Sequence, residues 1–292
     1  MIKAKRTKMK KSPIQIIVFS LMFIYLCIHC LSLLYPMLWL IMSSFKDSYE
    51  YMTISPFALP EKWLFSNYSL AFELLNVRGT TFFEMLFNSL WWSVGGTVGG
   101  IFMGALISYT MAKYQFAARE FIYAIIILIM IIPIYGSGAA GYKLAVDLKI
   151  INSPLLLVKS IGGYDGFIFL VLYSFFKNMS WSYAEAAFID GAGHFEVFIK
   201  IMFPMALGPI SSMFIISWIG AWNDYMGPLI YLYDMPTLST GLYIYEQLQA
   251  DKNMNFPLYF SGVCMCLIPV LTIFIIFQNT IMNSVTTGGL KG

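Results

Sequence analysis

The chain has 292 residues, 59% of them hydrophobic and only 11% charged, with a formal net charge of +3. A soluble domain carries about 25% charged residues, so the composition excludes one and describes an all-α integral membrane protein. At this length the chain holds several spans and little else, and its four cysteines set no redox compartment.

Residues 1–13 contain Lys3, Lys5, Arg6, Lys8, Lys10 and Lys11 and no acid. The apolar run that follows, 14–42, is too long for a signal-peptide core and lacks a small-residue cleavage site after it. It is read as a retained first span, with the basic tail in the cytoplasm. Cys27 and Cys30 lie within it around His29, and Cys264 and Cys266 lie in the last span. Buried cysteines behave as small apolar residues, so no metal or redox site is assigned. Residues 43–83 form the longest polar segment and are placed outside the membrane. Asn67-Tyr68-Ser69 is read as a chance match to a glycosylation sequon.

A second span is expected at about 84–112, where Gly96, Gly100, Gly104, Ser108 and Ala112 recur every four residues. Such a ladder of small residues lets membrane helices approach closely. Lys113 and Arg119 flank a short inner loop. A third span at about 121–142 is interrupted by Pro133 and glycines 136, 138 and 141, and a broken helix at depth lines a cavity or is buried in protein. The fourth span is expected at about 160–177, the fifth at 205–233 and the sixth at 258–282, with a cytoplasmic tail at 283–292. Six spans from an inner N-terminus place both termini and 182–204 in the cytoplasm. The basic residues agree. Six in the tail plus Lys113, Arg119, Lys177, Lys200 and Lys291 fall inside, whereas the outer bases are spread over longer, acid-balanced loops.

The stretch Ser182–Pro209 is the one polar, helix-patterned segment between long apolar runs. Ser182 and Glu185 have capping-box spacing, predicting a short helix from about Tyr183 to Asp190. Gly191 suits the left-handed residue that ends it. A second helix from His194 would carry Phe195, Phe198, Ile199 and Met202 on one face. Glu196 and Lys200 make a favourable i,i+4 pair. Pro204 closes the element.

This stretch resembles the EAA loop of ABC-importer permeases, by which the membrane subunit grips its ATPase. Glu185, Ala186, Ala187, Asp190, Gly191, Ala192, Phe198, Ile201, Pro204 and Pro209 carry the match in fixed register. The resemblance covers nearly the whole chain and is nearest to the smaller membrane subunit of maltose-type carbohydrate importers. The run Pro56, Phe57, Leu59, Pro60, Phe65, Ser66, Asn67 and Tyr68 is similar to the first outer loop of sugar permeases, and Trp222-Asn223-Asp224 and Gly288–Gly292 also match. The resemblance implies a type I ABC-importer permease fold with six transmembrane helices and cytoplasmic EAA coupling helices. It also implies a second, different permease subunit, two copies of an ABC ATPase and an extracytoplasmic sugar-binding protein, all in the plasma membrane of a bacterium. The tail, with Gly288, Gly289 and Lys291, is expected to contact the ATPase pair. No nucleic acid is implied, and the surrounding partner is membrane lipid.

Two absences in the sequence fit this reading. Between the flanks of the six spans the clear ionisable residue other than His29 is Asp224, whereas ion-coupled carriers place several at depth. No GxxxxGK[ST] occurs, so ATP is expected on a separate subunit and no cofactor, metal or catalytic group on this one. The rival readings are a permease of the same family for a non-sugar solute, and a stand-alone secondary carrier. For the sugar path the candidates are Trp218, Trp222, Asn223, Asp224 and Tyr225 in span five and Tyr135 beside the break in span three. Residues 218, 222 and 225 share a helix face. The alternative is that the two tryptophans form an outer aromatic belt and that Asn223 and Asp224 only fasten the helix end.

Overall fold

The computed structural model describes residues 12–132, 137–162, 165–250 and 255–288. In chain order its helices are α1 Pro13–Ser44, α2 Ser48–Thr53, α3 Ser66–Leu74, α4 Phe82–Lys113, α5 Arg119–Ile131, α6 Ser137–Asp147, α7 Leu157–Gly162, α8 Gly166–Asn178, α9 Ser182–Ile189, α10 His194–Val197, α11 Phe203–Met205, α12 Leu207–Asn223, α13 Met226–Tyr231, α14 Leu238–Ala250 and α15 Phe256–Gly288. The basic residues of the tail, as well as Pro133, Tyr135, Gly289 and Lys291, lie outside the described residues.

Among the described residues three helices are long and apolar enough to cross a membrane: α1, α4 and α15 over Phe256–Ile276. Two bent pairs bring the number to five, α7 with α8, and α10–α11 with α12. The third expected span is represented by α5, which ends at Ile131, and α6, which begins at Ser137, with 133–136 outside the described residues. The expected continuous fourth span is instead divided, with α7 ending at Gly162 and Asp165 capping α8. Its carboxylate accepts the N–H groups of Phe167 and Ile168 at 2.9 and 3.1 Å, which a helix interior could not offer.

The described chain clusters into two units. The first comprises 1–71 with 254–264. Here the segment after α1 folds back on it. The Trp39 indole donates to Pro56 O at 2.9 Å and meets the Phe260 ring edge-on, centroids 5.3 Å apart. Lys46 is fully buried and donates to Ser55 O and Pro56 O at 2.9 and 3.2 Å, which a buried ammonium requires. Asn67 donates its amide to Ser44 O and Lys46 O, so the sequon-like Asn67 is a structural clasp. The N-terminal turns of α1 are exposed among the described residues, Phe23 being 67% exposed.

The second unit, 72–253 with 265–292, is built around α4. The capping box at its start is real: Glu84 accepts the Thr81 N–H at 2.8 Å. Its ladder of small residues packs against α7 and α8. A Cβ on Gly104 would lie 2.9 Å from Ile168 Cγ2, and Ser108 Oγ donates to Phe169 O at 3.1 Å. The core joins Ile101, Ala105 and Tyr109 of α4 to Leu172 and Phe176 of α8 and to Ile210 and Met213 of α12.

Candidate coupling hairpin and transport path

The polar stretch forms two short helices joined at a glycine. Gly191 has φ +85°, and the chain closes there in a Schellman motif: Ala192 N–H donates to Ala187 O at 2.9 Å and Gly191 N–H to Phe188 O at 3.0 Å. The expected capping box is absent. Trp181 is the N-cap, no side-chain capping bond forms, and the Ser182 hydroxyl pairs with that of Ser180 at 2.7 Å. Ser182 is already inside the helix, one residue too late to cap it. Glu185 is therefore exposed and not used in capping.

The expected apolar stripe is also reset. Phe198 and Met202 are buried at 1% and 0%, but Phe195 is 62% exposed and the fully buried neighbour is Val197. A π-turn over Phe198–Met202 is the reason, since it adds a residue to the turn and rotates the register. Glu196 and Lys200 do pair, at 2.6 Å, both exposed. The Lys200 ammonium, with a smaller part from Gly193 N–H, holds the Glu196 carboxyl below the usual carboxylate range. Pro204 sits in the first turn of α11, where its missing N–H costs nothing.

The hairpin is two-faced. Ala184, Ala187, Val197, Phe198 and Met202 enter the core of α4 and α8. Ile201 and Ala192 pack partly against it. Glu185, Ala186, Ile189, Asp190 and Gly191 point outward, and Ile189 is 87% exposed. An aromatic anchor that sequence reading did not single out holds the inner face. Tyr114, just past α4, has its hydroxyl 3.0 Å from His194 Nδ1 and stands edge-on to Trp181, while Phe188 meets His194 with centroids 4.8 Å apart. Lys113 also donates to Met179 O. The C-terminal end of α4 is thus clamped to the hairpin.

The residues expected on one face of span five are separated. Helix α12 stops at Asn223, and Asp224 turns out with φ −69° and ψ 108°. A helical wheel therefore does not carry through to Tyr225, which stacks on Tyr243 at 4.6 Å. Asn223 returns its amide to Ile219 O at 2.8 Å. Trp218 and Trp222 are 3% and 4% exposed, which also excludes a lipid-facing aromatic belt for them. Trp218 Nε1 donates to Ser93 Oγ of α4 at 3.1 Å, and Trp222 O accepts the Ser239 hydroxyl. Asp224 takes a different environment. It lines a cavity of about 330 Å³ with Trp92, Thr97, Ser160, Asp165 and Ser217. Asp165 is a second acid within the expected fourth span, missed because a continuous helix was drawn through it. Its signal was the run Gly162-Gly163-Tyr164-Asp165-Gly166, a helix break followed by a capping residue. Gly288 is the last residue of α15.

Comparison with known proteins matches this architecture to a class. Residues 96–286 match the family described as binding-protein-dependent transport system inner membrane component. The chain is 30% identical over 277 residues to the arabinooligosaccharides transport system permease protein AraQ of Bacillus subtilis, covering 90% of this chain and 92% of that one. It is 29% identical over 259 residues to the diacetylchitobiose uptake system permease protein NgcG of Streptomyces coelicolor, covering 88% and 83%. A solved chain of a bacterial ABC transporter involved in import of the acidic polysaccharide alginate superposes with TM-score 0.77 at 20% identity, over 93% of this chain and 99% of that chain, which shows the shared fold.

The class is thus a multi-pass permease subunit of an ABC importer, a transporter component and not an enzyme. The chain belongs to the family of binding-protein-dependent transport system inner membrane components, which work with an ATPase and a substrate-binding protein in the bacterial plasma membrane.

Proposed function

We propose that this permease carries carbohydrate inward as one half of a heterodimeric path, and that its hairpin 182–204 couples the path to the ATPase. The carbohydrate reading is supported by the sugar-transport relatives, whose named cargoes are arabinooligosaccharides and diacetylchitobiose. The partner is a second, different permease subunit, with lipid around both. Two ATPase copies bind the ATP below, so this chain itself needs no cofactor. The N- and C-termini face the cytoplasm, and the six spans follow the sequence expectation, with 121–142 as the third. The tail, including Gly288, Gly289 and Lys291, contacts the ATPase pair.

The observation that carries the coupling role is the two-faced hairpin. One face is locked into α4 and α8, while the other presents Glu185, Ala186, Asp190 and Gly191. Small outward residues admit another protein's surface close to the backbone. The locked face turns a push on the hairpin into movement of the spans, because packed helices shift as units. In the path, Asp224 contacts the cargo, while Trp218 holds α12 against α4 and Trp222 is buried where α12 meets α14. Tyr135, Asn223 and Tyr225 complete the candidate lining.

The test uses the assembled complex. Ala186→Cys is expected to cross-link to a cysteine placed on the ATPase in ATP-dependent fashion, and Ala186→Trp to abolish uptake while the chain still inserts. Normal uptake and normal ATPase binding in Ala186→Trp would overturn the coupling role.

A further inference from the structure

We propose that the cavity between α4, α7–α8 and α12 is a binding site for one ring of a neutral sugar, held by Thr97, Asp165 and Asp224 of this subunit. The proposal rests on the carbohydrate reading above and specifies it. The cavity, about 330 Å³, falls in the range of small-molecule sites, about 300–1,000 Å³. Such sites pair an aromatic or apolar wall with a few placed polar groups, and Trp92 supplies the wall here.

Thr97 gives the first independent observation. It lines the cavity and is 6% exposed, yet its hydroxyl has no hydrogen-bond partner among the described residues. Other hydroxyls of α4 do not behave this way. Ser89 and Ser93 donate to the carbonyls four residues back, at 2.9 and 2.6 Å. A buried hydroxyl left unpaired is unfavourable, and a ligand hydroxyl at this wall removes the cost.

The carboxylates give the second. Asp224 is oriented by Gly227 N–H on Oδ1 at 2.9 Å, and Asp165 by two N–H groups on its Oδ1. A side chain on Gly227 would strike Asp224 Oδ2, so the glycine makes room for this carboxylate. In each acid the bonds fall on Oδ1, which leaves Oδ2 to accept from neighbouring sugar hydroxyls. Ser160 and Ser217 add hydroxyls that donate or accept.

Charge then sets the class. Among the described residues two carboxylates line the cavity and no Lys, Arg or His does. Lys159, beside Ser160, is turned away with its ammonium 4.0 Å from the Tyr231 ring centre. A uronate or sulfonated sugar meets like charge there, while an uncharged polyhydroxyl ring meets oriented acceptors. The site therefore favours neutral sugars.

The experiment uses the complete purified complex in nanodiscs, without binding protein. Equilibrium binding is measured with radiolabelled arabinotriose, diacetylchitobiose and maltose, and with a uronate trisaccharide. The complex is expected to bind at least one neutral sugar and to exclude the uronate. Thr97→Val should weaken that binding roughly tenfold, with ATPase co-purification unchanged. Asp224→Asn should weaken neutral binding and admit the uronate. If Thr97→Val does not assemble, Ser217→Ala on α12 carries the same test. Wild-type affinity in these variants, or uronate bound as tightly as neutral sugar, overturns the site while leaving the carbohydrate reading intact. A full transporter that takes up none of the sugars overturns both.

Discussion

At the residue scale, Gly191 and Glu185 are the informative positions. Gly191 has a φ of +85° but open space around it. Any other residue pays about 1–2 kcal/mol for that conformation, and its side chain projects into the region where the ATPase is placed. Gly191→Leu is expected to lower thermal stability modestly and to abolish stimulation of ATP hydrolysis by loaded binding protein. Parallel loss of insertion and hydrolysis would instead mark a folding defect. Glu185 caps nothing, so Glu185→Gln and Glu185→Lys should leave the melting temperature of the chain unchanged. Glu185→Lys is expected to cut uptake at least tenfold, with Glu185→Gln intermediate. A lowered melting temperature with normal uptake would show that the carboxylate serves the helix alone. Sequence spacing suggested a cap at Ser182, but the spacing of two residues does not say which of them starts the helix. Gly191 was legible because a left-handed C′ position has few other occupants.

At the element scale, the joint of α4 with α8 and α12 carries the argument. The ladder of small residues was readable from its four-residue repeat, since a repeat reports a face directly. What the ladder packs against was not readable, because the partner is divided into α7, ending at Gly162, and α8, which Asp165 caps. Likewise, the end of α12 at Asn223 has no proline or glycine to announce it; Gly227 comes four residues later and serves the Asp224 carboxylate. The π-turn over Phe198–Met202 was invisible to a 3.6-residue periodicity. Two substitutions test the joint. Gly104→Leu drives a side chain into Ile168 and should prevent stable assembly, seen as loss of the ATPase on purification. Trp218→Ala empties a buried site and breaks the bond to Ser93, a loss of about 3–5 kcal/mol. It should lower the thermal midpoint and uptake together. Trp222→Ala should do the same by emptying its own buried site, since its carbonyl still accepts the Ser239 hydroxyl. Normal stability with lost uptake in either variant would assign that tryptophan to the sugar path directly.

At the scale of the whole molecule, the fold and the hairpin belong together. The composition gave the membrane class, and the fixed register of Glu185, Ala186, Ala187, Asp190 and Gly191 gave the family. The cavity was only half legible: Asp224 stood out as a charge in an apolar span, while Thr97 and Ser217 looked like ordinary small polar residues until packing left them at one wall. The account requires that this chain has neither motor nor ion relay of its own. Reconstitution in proteoliposomes tests that most directly, by measuring sugar uptake with this chain alone under a proton or sodium gradient, and then with its partner permease, ATPase pair, binding protein and internal ATP. The account predicts no uptake in the first case and ATP-dependent accumulation of a neutral sugar in the second. Gradient-driven uptake by the chain alone would contradict it.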